Sequence, residues 1–154
     1  MLKSIIADTS CFIILSNIGE LELLQKVYGS VITTEEVAAE FGEVLPEWIE
    51  VKAVTDKFRQ KILEIQVDKG EASAIALAFE TPKSIVILDD LKARRIAEQL
   101  GLLITGTIGV LIKAKILGHI ISIKPFLQKI GEMNFRLSDE LIKLALIEAG
   151  EELS

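Results

Sequence analysis

Three carboxylates occupy positions in the sequence that could support metal chemistry. Asp8 follows the short apolar run of residues 5–7, and the adjacent pair Asp89 and Asp90 follows the strongest apolar run of the chain, residues 84–88. A charged group at the edge of a core is costly unless it is exposed, paired or bound to a metal. Two adjacent acids also repel each other, which favours a nearby cation or a raised pKa.

Two further carboxylates lie on predicted helices. Glu40 shares a helix face with Glu36, four residues earlier, and Glu71 opens the nearly uncharged run of residues 72–78. Carboxylate oxygens are ligands that Mg²⁺ and Mn²⁺ prefer. Together with the acids at the strand ends, Glu40 and Glu71 predict a site for Mg²⁺ or Mn²⁺. Such an ion activates water and holds a phosphodiester for in-line displacement.

Each of these acids also has a structural interpretation. Asp8 could cap the helix that follows it, and Glu40 could be a solvated helix residue. Glu71 fits a capping box with Asp68. One acid of the adjacent pair is expected to cap the next helix, so the sequence leaves open whether Asp89 or Asp90 binds the metal. The hydroxyl of Ser10 is expected to orient Asp8.

The elements that must position these acids alternate along the chain. Apolar runs predict strands near residues 5–7, 30–32, 48–54, 84–88 and 102–104. Helical spacing predicts helices at residues 11–15, 21–27, 33–41, 56–66, 71–80, 92–100, 107–117, 125–131 and 138–149. Thr33 is expected to cap the third helix, with Glu36 reaching back to it. This alternation predicts an α/β fold, a three-layer α/β/α sandwich around a parallel sheet of about 4–5 strands, whose ligands bind beyond the carboxyl ends of the strands.

Length and composition limit the class of protein. The 154 residues, half of them hydrophobic, predict one domain over residues 1–154 and exclude whole-chain disorder. The single cysteine, Cys11, excludes an internal disulfide. Because the sequence has neither a signal-peptide pattern nor an apolar run of membrane-spanning length, we expect a cytoplasmic protein that does not enter a membrane.

The charges are distributed unevenly. Residues 1–91 hold 8 basic and 16 acidic side chains, whereas residues 92–129 hold 7 basic and 1 acidic, a net charge of +6 within a chain of net −6. In the basic segment, Lys92 and Arg94 are candidates for phosphate contacts, and Arg94 could instead pair with Asp90. Thr105 and Thr107 precede a predicted helix, where they could bind an anion or act as ordinary caps.

These segments together resemble the PIN-domain ribonucleases, the fold of VapC-type toxins. The resemblance spans roughly residues 4–131 and rests on residues 6–10, Glu40, residues 70–78, 87–90 and 93–94. It implies that Asp8, Glu40, Glu71 and one of Asp89 or Asp90 coordinate Mg²⁺ or Mn²⁺ for cleavage of single-stranded RNA. Residues 104–109 and 114–118 are most similar to a less characterised PIN-like subgroup.

The resemblance also implies partners. A toxin of this kind is inhibited by a small antitoxin protein, and homodimers are common, with the helix at residues 138–149 available for an interface or for the core. One departure favours an alternative function: many family members carry a further acid where this chain has Thr105-Gly106-Thr107. The alternative is a catalytically inactive PIN-like module that binds protein or RNA.

Overall fold

A computed structural model describes residues 3–133, 135 and 137–152. Within these residues, the sheet has five strands, all paired in parallel in the order β3-β2-β1-β4-β5. The strands are β1 (Ser4–Ala7), β2 (Val31–Thr34), β3 (Ile49–Lys52), β4 (Ser84–Ile87) and β5 (Leu103–Thr105).

Helices cover both faces of the sheet. They are α1 (Thr9–Asn17), α2 (Leu23–Tyr28), α3 (Glu35–Phe41), α4 (Lys57–Leu63), α5 (Lys69–Phe79), α6 (Leu91–Gln99), α7 (Thr107–Ile116), α8 (Lys124–Gly131) and α9 (Asp139–Glu148). Every strand and helix predicted from the sequence is present, with ends that differ by a few residues. None of the helices in the described ranges combines the length and the apolar character needed to cross a bilayer.

Side chains of β1 alternate between two hydrophobic clusters, as the two-residue period of a strand requires. Ile5 and Ala7 belong to the cluster built with α1, α2 and α7, which α8 and α9 extend. Ile6 belongs to the cluster on the other face, where the small buried side chains of α5 pack with α6. This arrangement confirms the predicted three-layer α/β/α sandwich, a PIN-like fold.

The start of α3 differs from the prediction by one residue. Strand β2 continues to Thr34, so Thr34 rather than Thr33 caps the helix, and its hydroxyl accepts from the Val37 N–H at 3.0 Å. Thr33 lies within β2, and its hydroxyl donates to the Ala7 carbonyl of β1 at 2.8 Å. Glu36 does not reach back to a cap, because its carboxylate accepts from Gln60 at 2.6 Å.

Near the end of the described chain, Glu151 holds the connection between α7 and α8. Its carboxylate accepts from the Ser122 hydroxyl at 2.6 Å and from the Ile123 N–H at 2.7 Å. Lys115 Nζ lies 3.2 Å from the same carboxylate. Desolvation opposes ionisation here, but the hydrogen bonds from Ser122, Ile123 and Lys115 outweigh it and lower the pKa of Glu151.

Candidate functional site

Strand pairing brings Asp8 next to the end of β4. Ala7 is the register partner of Ile87, so β1 and β4 end side by side. The Asp8 N–H then donates to the Ile87 carbonyl at 3.3 Å. Because the strands are parallel, Asp8 and the pair Asp89 and Asp90 emerge at the same edge of the sheet, the edge where ligands bind in α/β folds.

The carboxyl group of Asp8 is buried, and one of its two oxygens has no hydrogen bond to offset the loss of water. The residue is 3% exposed, it makes no side-chain cap to α1, and its Oδ1 has no hydrogen-bond partner. Burial raises the pKa of Asp8 to about 8; the Thr9 backbone N–H opposes the shift, and the negative charges of Glu71, Asp68 and Glu40 add to it. Asp8 therefore lies at the centre of a negative field.

The absence of a side chain at Gly70 lets the Glu40 carboxylate approach the segment that carries Asp8. A Cβ on Gly70 would lie 3.1 and 3.2 Å from the two carboxylate oxygens of Glu40, and 3.2 Å from Thr9 Oγ1. Thr9 Oγ1 is buried and, like Asp8 Oδ1, has no hydrogen-bond partner. The Glu40 carboxylate is thus packed over the first turn of α5, beside the residue that follows Asp8.

Glu71 has both of the roles considered from the sequence. It closes a capping box, since Asp68 Oδ1 accepts from the Glu71 N–H at 2.8 Å and Glu71 Oε1 accepts from the Asp68 N–H at 3.3 Å. Burial and the Asp68 charge raise its pKa to about 7, with further contributions from Asp90 and Glu40. Asp68 was identified from the sequence only as a cap, and its contribution to the negative field was missed. The signal for that contribution was its position three residues before Glu71.

The adjacent acids Asp89 and Asp90 have different environments. Asp89 accepts from Ser10 Oγ at 2.8 Å, from the Thr107 N–H at 2.7 Å and from Thr107 Oγ1 at 2.6 Å. Asp90 is exposed and caps α6 by accepting from the Ala93 N–H at 2.9 Å. Only Asp90 of the two contributes to the raised pKa of Glu71. The hydrogen bonds of Asp89 therefore join α1, β4 and α7, while the Asp90 charge acts on Glu71.

The hydroxyl residues expected near the site bind internal partners. Ser10 donates to Asp89 and not, as expected, to Asp8, because the first turn of α1 directs it towards the end of β4. Thr107 is 1% exposed, so the start of α7 is occupied by the Asp89 carboxylate and is not open to an external anion. Thr105 Oγ1 is pressed against Gly109 on α7.

The two basic candidates lie on the first turns of α6. Lys92 is exposed. Arg94 is partly buried and uses Nη1 to donate to the Leu88 carbonyl at 2.8 Å. It forms no ion pair with Asp90 among the described residues, because its guanidinium group turns back towards Gly106 and the end of β4.

We name Asp8, Glu40, Glu71 and Asp90 the acid cluster. No three His, Cys, Asp or Glu side chains of the described residues are arranged, as they stand, to hold a metal ion. The donor set nevertheless fits a hard divalent cation, because all its atoms are carboxylate oxygens and because Asp8 Oδ1 has no partner. A cation would also offset the burial and the mutual repulsion that raise the pKa values of Asp8 and Glu71.

Comparison with known families gives one match. A family model described as "DUF3368: PIN domain" matches residues 4–151. The match therefore includes α9, which lies beyond the segment that carried the resemblance in the sequence. No curated protein and no solved structure matches the chain.

Proposed function

Because the chain belongs to the PIN-domain family, we propose that it is a metal-dependent endoribonuclease that cleaves single-stranded RNA. PIN domains are generally nucleases that bind nucleic acid and use divalent metal ions. The observation that carries the proposal is the placement of Glu40 and Glu71 around Asp8, whose buried oxygen has no partner, with Asp90 beside Glu71.

In this proposal the acid cluster holds Mg²⁺ or Mn²⁺. An ion held there would supply an activated water and neutralise charge on the scissile phosphate. Asp8 is fixed by the backbone at the end of β1, so its carboxylate is the anchored member. Glu40 and Asp90 are exposed, so their carboxylates can turn towards a ligand with little change in packing.

Residues beside the acid cluster have two proposed roles. Lys92 and Arg94, at the start of α6, contact RNA phosphates. Ser10 and Thr107 do not touch substrate: they hold Asp89, and through it the chain segments that carry Asp8 and Asp90. In this proposal Asp89 is a positioning residue and Asp90 is the metal ligand of the two adjacent acids.

The biological role that we propose also depends on the acid cluster. We propose one domain over residues 1–154 that acts in the cytoplasm as a VapC-like toxin and is paired with a small antitoxin. A cluster of carboxylates accepts the guanidinium group of an arginine in two parallel hydrogen bonds, so an inserted antitoxin arginine would block it. A homodimer is part of this proposal.

The second candidate is a catalytically inactive module that binds protein or RNA. Two observations favour it. The acids, as they stand, form no group of three able to hold a metal within the described ranges. In addition, Thr107 of the Thr105-Gly106-Thr107 segment, where a further acid is common, binds Asp89 instead of supplying a ligand.

Cleavage of a mixed single-stranded RNA pool with Mg²⁺ or Mn²⁺ tests the two candidates. The wild-type protein is compared with D8N and with D139N, which alters an exposed acid at the start of α9. We expect metal-dependent cleavage by the wild type and D139N and none by D8N. Equal cleavage by D8N would point to a contaminating nuclease. Absence of cleavage in all three, with no Mn²⁺ binding by calorimetry, would support the inactive module.

The choice between the adjacent acids has its own test. D90N is expected to weaken Mn²⁺ binding and to change the free energy of unfolding little, because asparagine caps a helix about as well as aspartate. D89N is expected to lower the free energy of unfolding and to affect Mn²⁺ binding only through that loss. The opposite pattern would assign the metal to Asp89.

A further inference from the structure

A cleft of about 430 Å³ opens beside the acid cluster, between the start of α6, the end of β5 and α9. Asp89 and Leu91 line it, and these residues flank Asp90 in the sequence. The cleft and the acid cluster are therefore adjacent along the same edge of the sheet. A chain of nucleotides bound at the acid cluster would place a neighbouring nucleotide at the cleft.

The walls of the cleft are mostly apolar, with a few polar groups. The apolar side chains come from four elements and the segment before α9: Leu91, Ile104, Ile108, Phe135, Leu141 and Leu144. Leu91 is 73% exposed and Leu144 is 54% exposed, so solvent reaches both rims. Asp89, Arg94, Thr105 and Glu148 supply the polar side chains. Apolar walls with a few directed polar groups are typical of sites for small planar ligands.

We propose that this cleft binds one unpaired nucleobase of the RNA whose backbone lies at the acid cluster. The inference rests on the proposed function, because it takes single-stranded RNA as the ligand. The Phe135 ring and the leucine side chains offer surface to the faces of a base. Arg94 uses Nη1 for Leu88, which leaves its remaining guanidinium N–H groups as donors, and Glu148 offers an acceptor for an exocyclic amine. Single-stranded RNA is read through stacking and through such edge contacts.

Charge favours RNA over a protein segment as the occupant. The cleft borders α6, which presents the exposed Lys92 and Arg95 and belongs to the segment of net charge +6. These cations suit the phosphates on either side of a bound base. They offer nothing to the apolar stripe of a second copy or of another protein.

Binding of short fluorescent RNA single strands, measured by anisotropy in EDTA, tests the inference without cleavage. Each base-containing strand is compared with an abasic ribose-phosphate strand of equal length and charge. Phosphate contacts contribute equally to the affinity of both strands, so the difference in affinity reports the base. The variants are L144S, on the wall of the cleft, and I147S, on the same helix. Ile147 is 59% exposed and lies outside the cleft lining, so I147S is a matched control. Both substitutions are at the surface and should leave the fold intact, which circular dichroism checks.

We expect the wild type and I147S to bind the best base-containing strand about tenfold more tightly than the abasic strand, and L144S to lose most of that preference. Equal affinity for both strands, or equal behaviour of L144S and I147S, would overturn the inference. So would a change of oligomeric state in L144S alone with RNA binding unchanged, because a second copy would then occupy the cleft. Metal-dependent cleavage without a base preference refutes only this inference. A base preference without cleavage refutes only the nuclease.

Discussion

Replacing Asp8 by asparagine should make the metal-free protein more stable, although it removes the proposed anchor of the metal. The pKa of Asp8 is raised from its usual 3.8 to about 8, mainly because the charged form is buried. One pKa unit corresponds to about 1.4 kcal/mol, so ionising Asp8 in the folded state costs at most about 6 kcal/mol. Asparagine has no such cost.

The sign of the effect follows from where protons are bound. Between about pH 4 and pH 8 the unfolded state has released the Asp8 proton and the folded state has kept it, so the free energy of unfolding of the wild type falls as pH rises. D8N has no proton to release. Its amide still lacks a partner at the same buried place, which costs about 1–3 kcal/mol. We therefore expect D8N to be about 2 kcal/mol less stable than the wild type near pH 4 and about 3 kcal/mol more stable near pH 8.

Urea unfolding in EDTA at several pH values between these limits measures the difference. D139N is the control, because it alters an exposed acid at the start of α9, outside the acid cluster. In a second series without EDTA, Mn²⁺ should stabilise the wild type and not D8N, since a ligand that binds only the folded state raises its stability. A difference between D8N and wild type that does not change with pH would refute the reasoning, as would an equal response of both to Mn²⁺.

Three further substitutions test the site and its supports. G70A should reduce metal-dependent cleavage at least about tenfold, because its Cβ displaces the Glu40 carboxylate, while G131A, where nothing lies within 4 Å, should leave the rate unchanged. D89N should lower the free energy of unfolding by about 2 kcal/mol in urea, because charge-assisted hydrogen bonds are lost; an unchanged midpoint would contradict this. E151Q should cost about 1–2 kcal/mol near neutral pH. Because the pKa of Glu151 is lowered, this stabilisation is present above the usual pKa and is lost as pH falls through the folded value, so melting curves of E151Q and wild type should converge in acid.

Local patterns were sufficient for much of the fold. The apolar runs before Asp8 and Asp89 predicted β1 and β4, and the spacing of Asp68 and Glu71 predicted a capping box, because these signals depend only on neighbouring residues. Strand alternation with helices then placed the acids at one edge of a parallel sheet. The PIN-like architecture and the family match confirm that part of the prediction.

The hydrogen-bond partners of side chains on neighbouring elements could not be predicted from the sequence. Ser10 was expected to hold Asp8, and it binds Asp89, since its direction depends on how α1 leaves the sheet next to β4. The separate environments of Asp89 and Asp90 depend on the position of α7, which supplies Thr107. The cleft could not be predicted from the sequence either, because its walls come from elements that are distant along the chain.

The strand order has a consequence for biosynthesis. The acids of the cluster come from four separate segments, and β4 enters the sheet beside β1, although β2 and β3 are made between them. Asp90 cannot join the other three acids until the chain up to residue 90 has left the ribosome and β4 has paired with β1. A growing chain that is shorter than this carries an incomplete cluster, so a site that needs all four acids is absent over that part of synthesis, beside the protein's own messenger RNA.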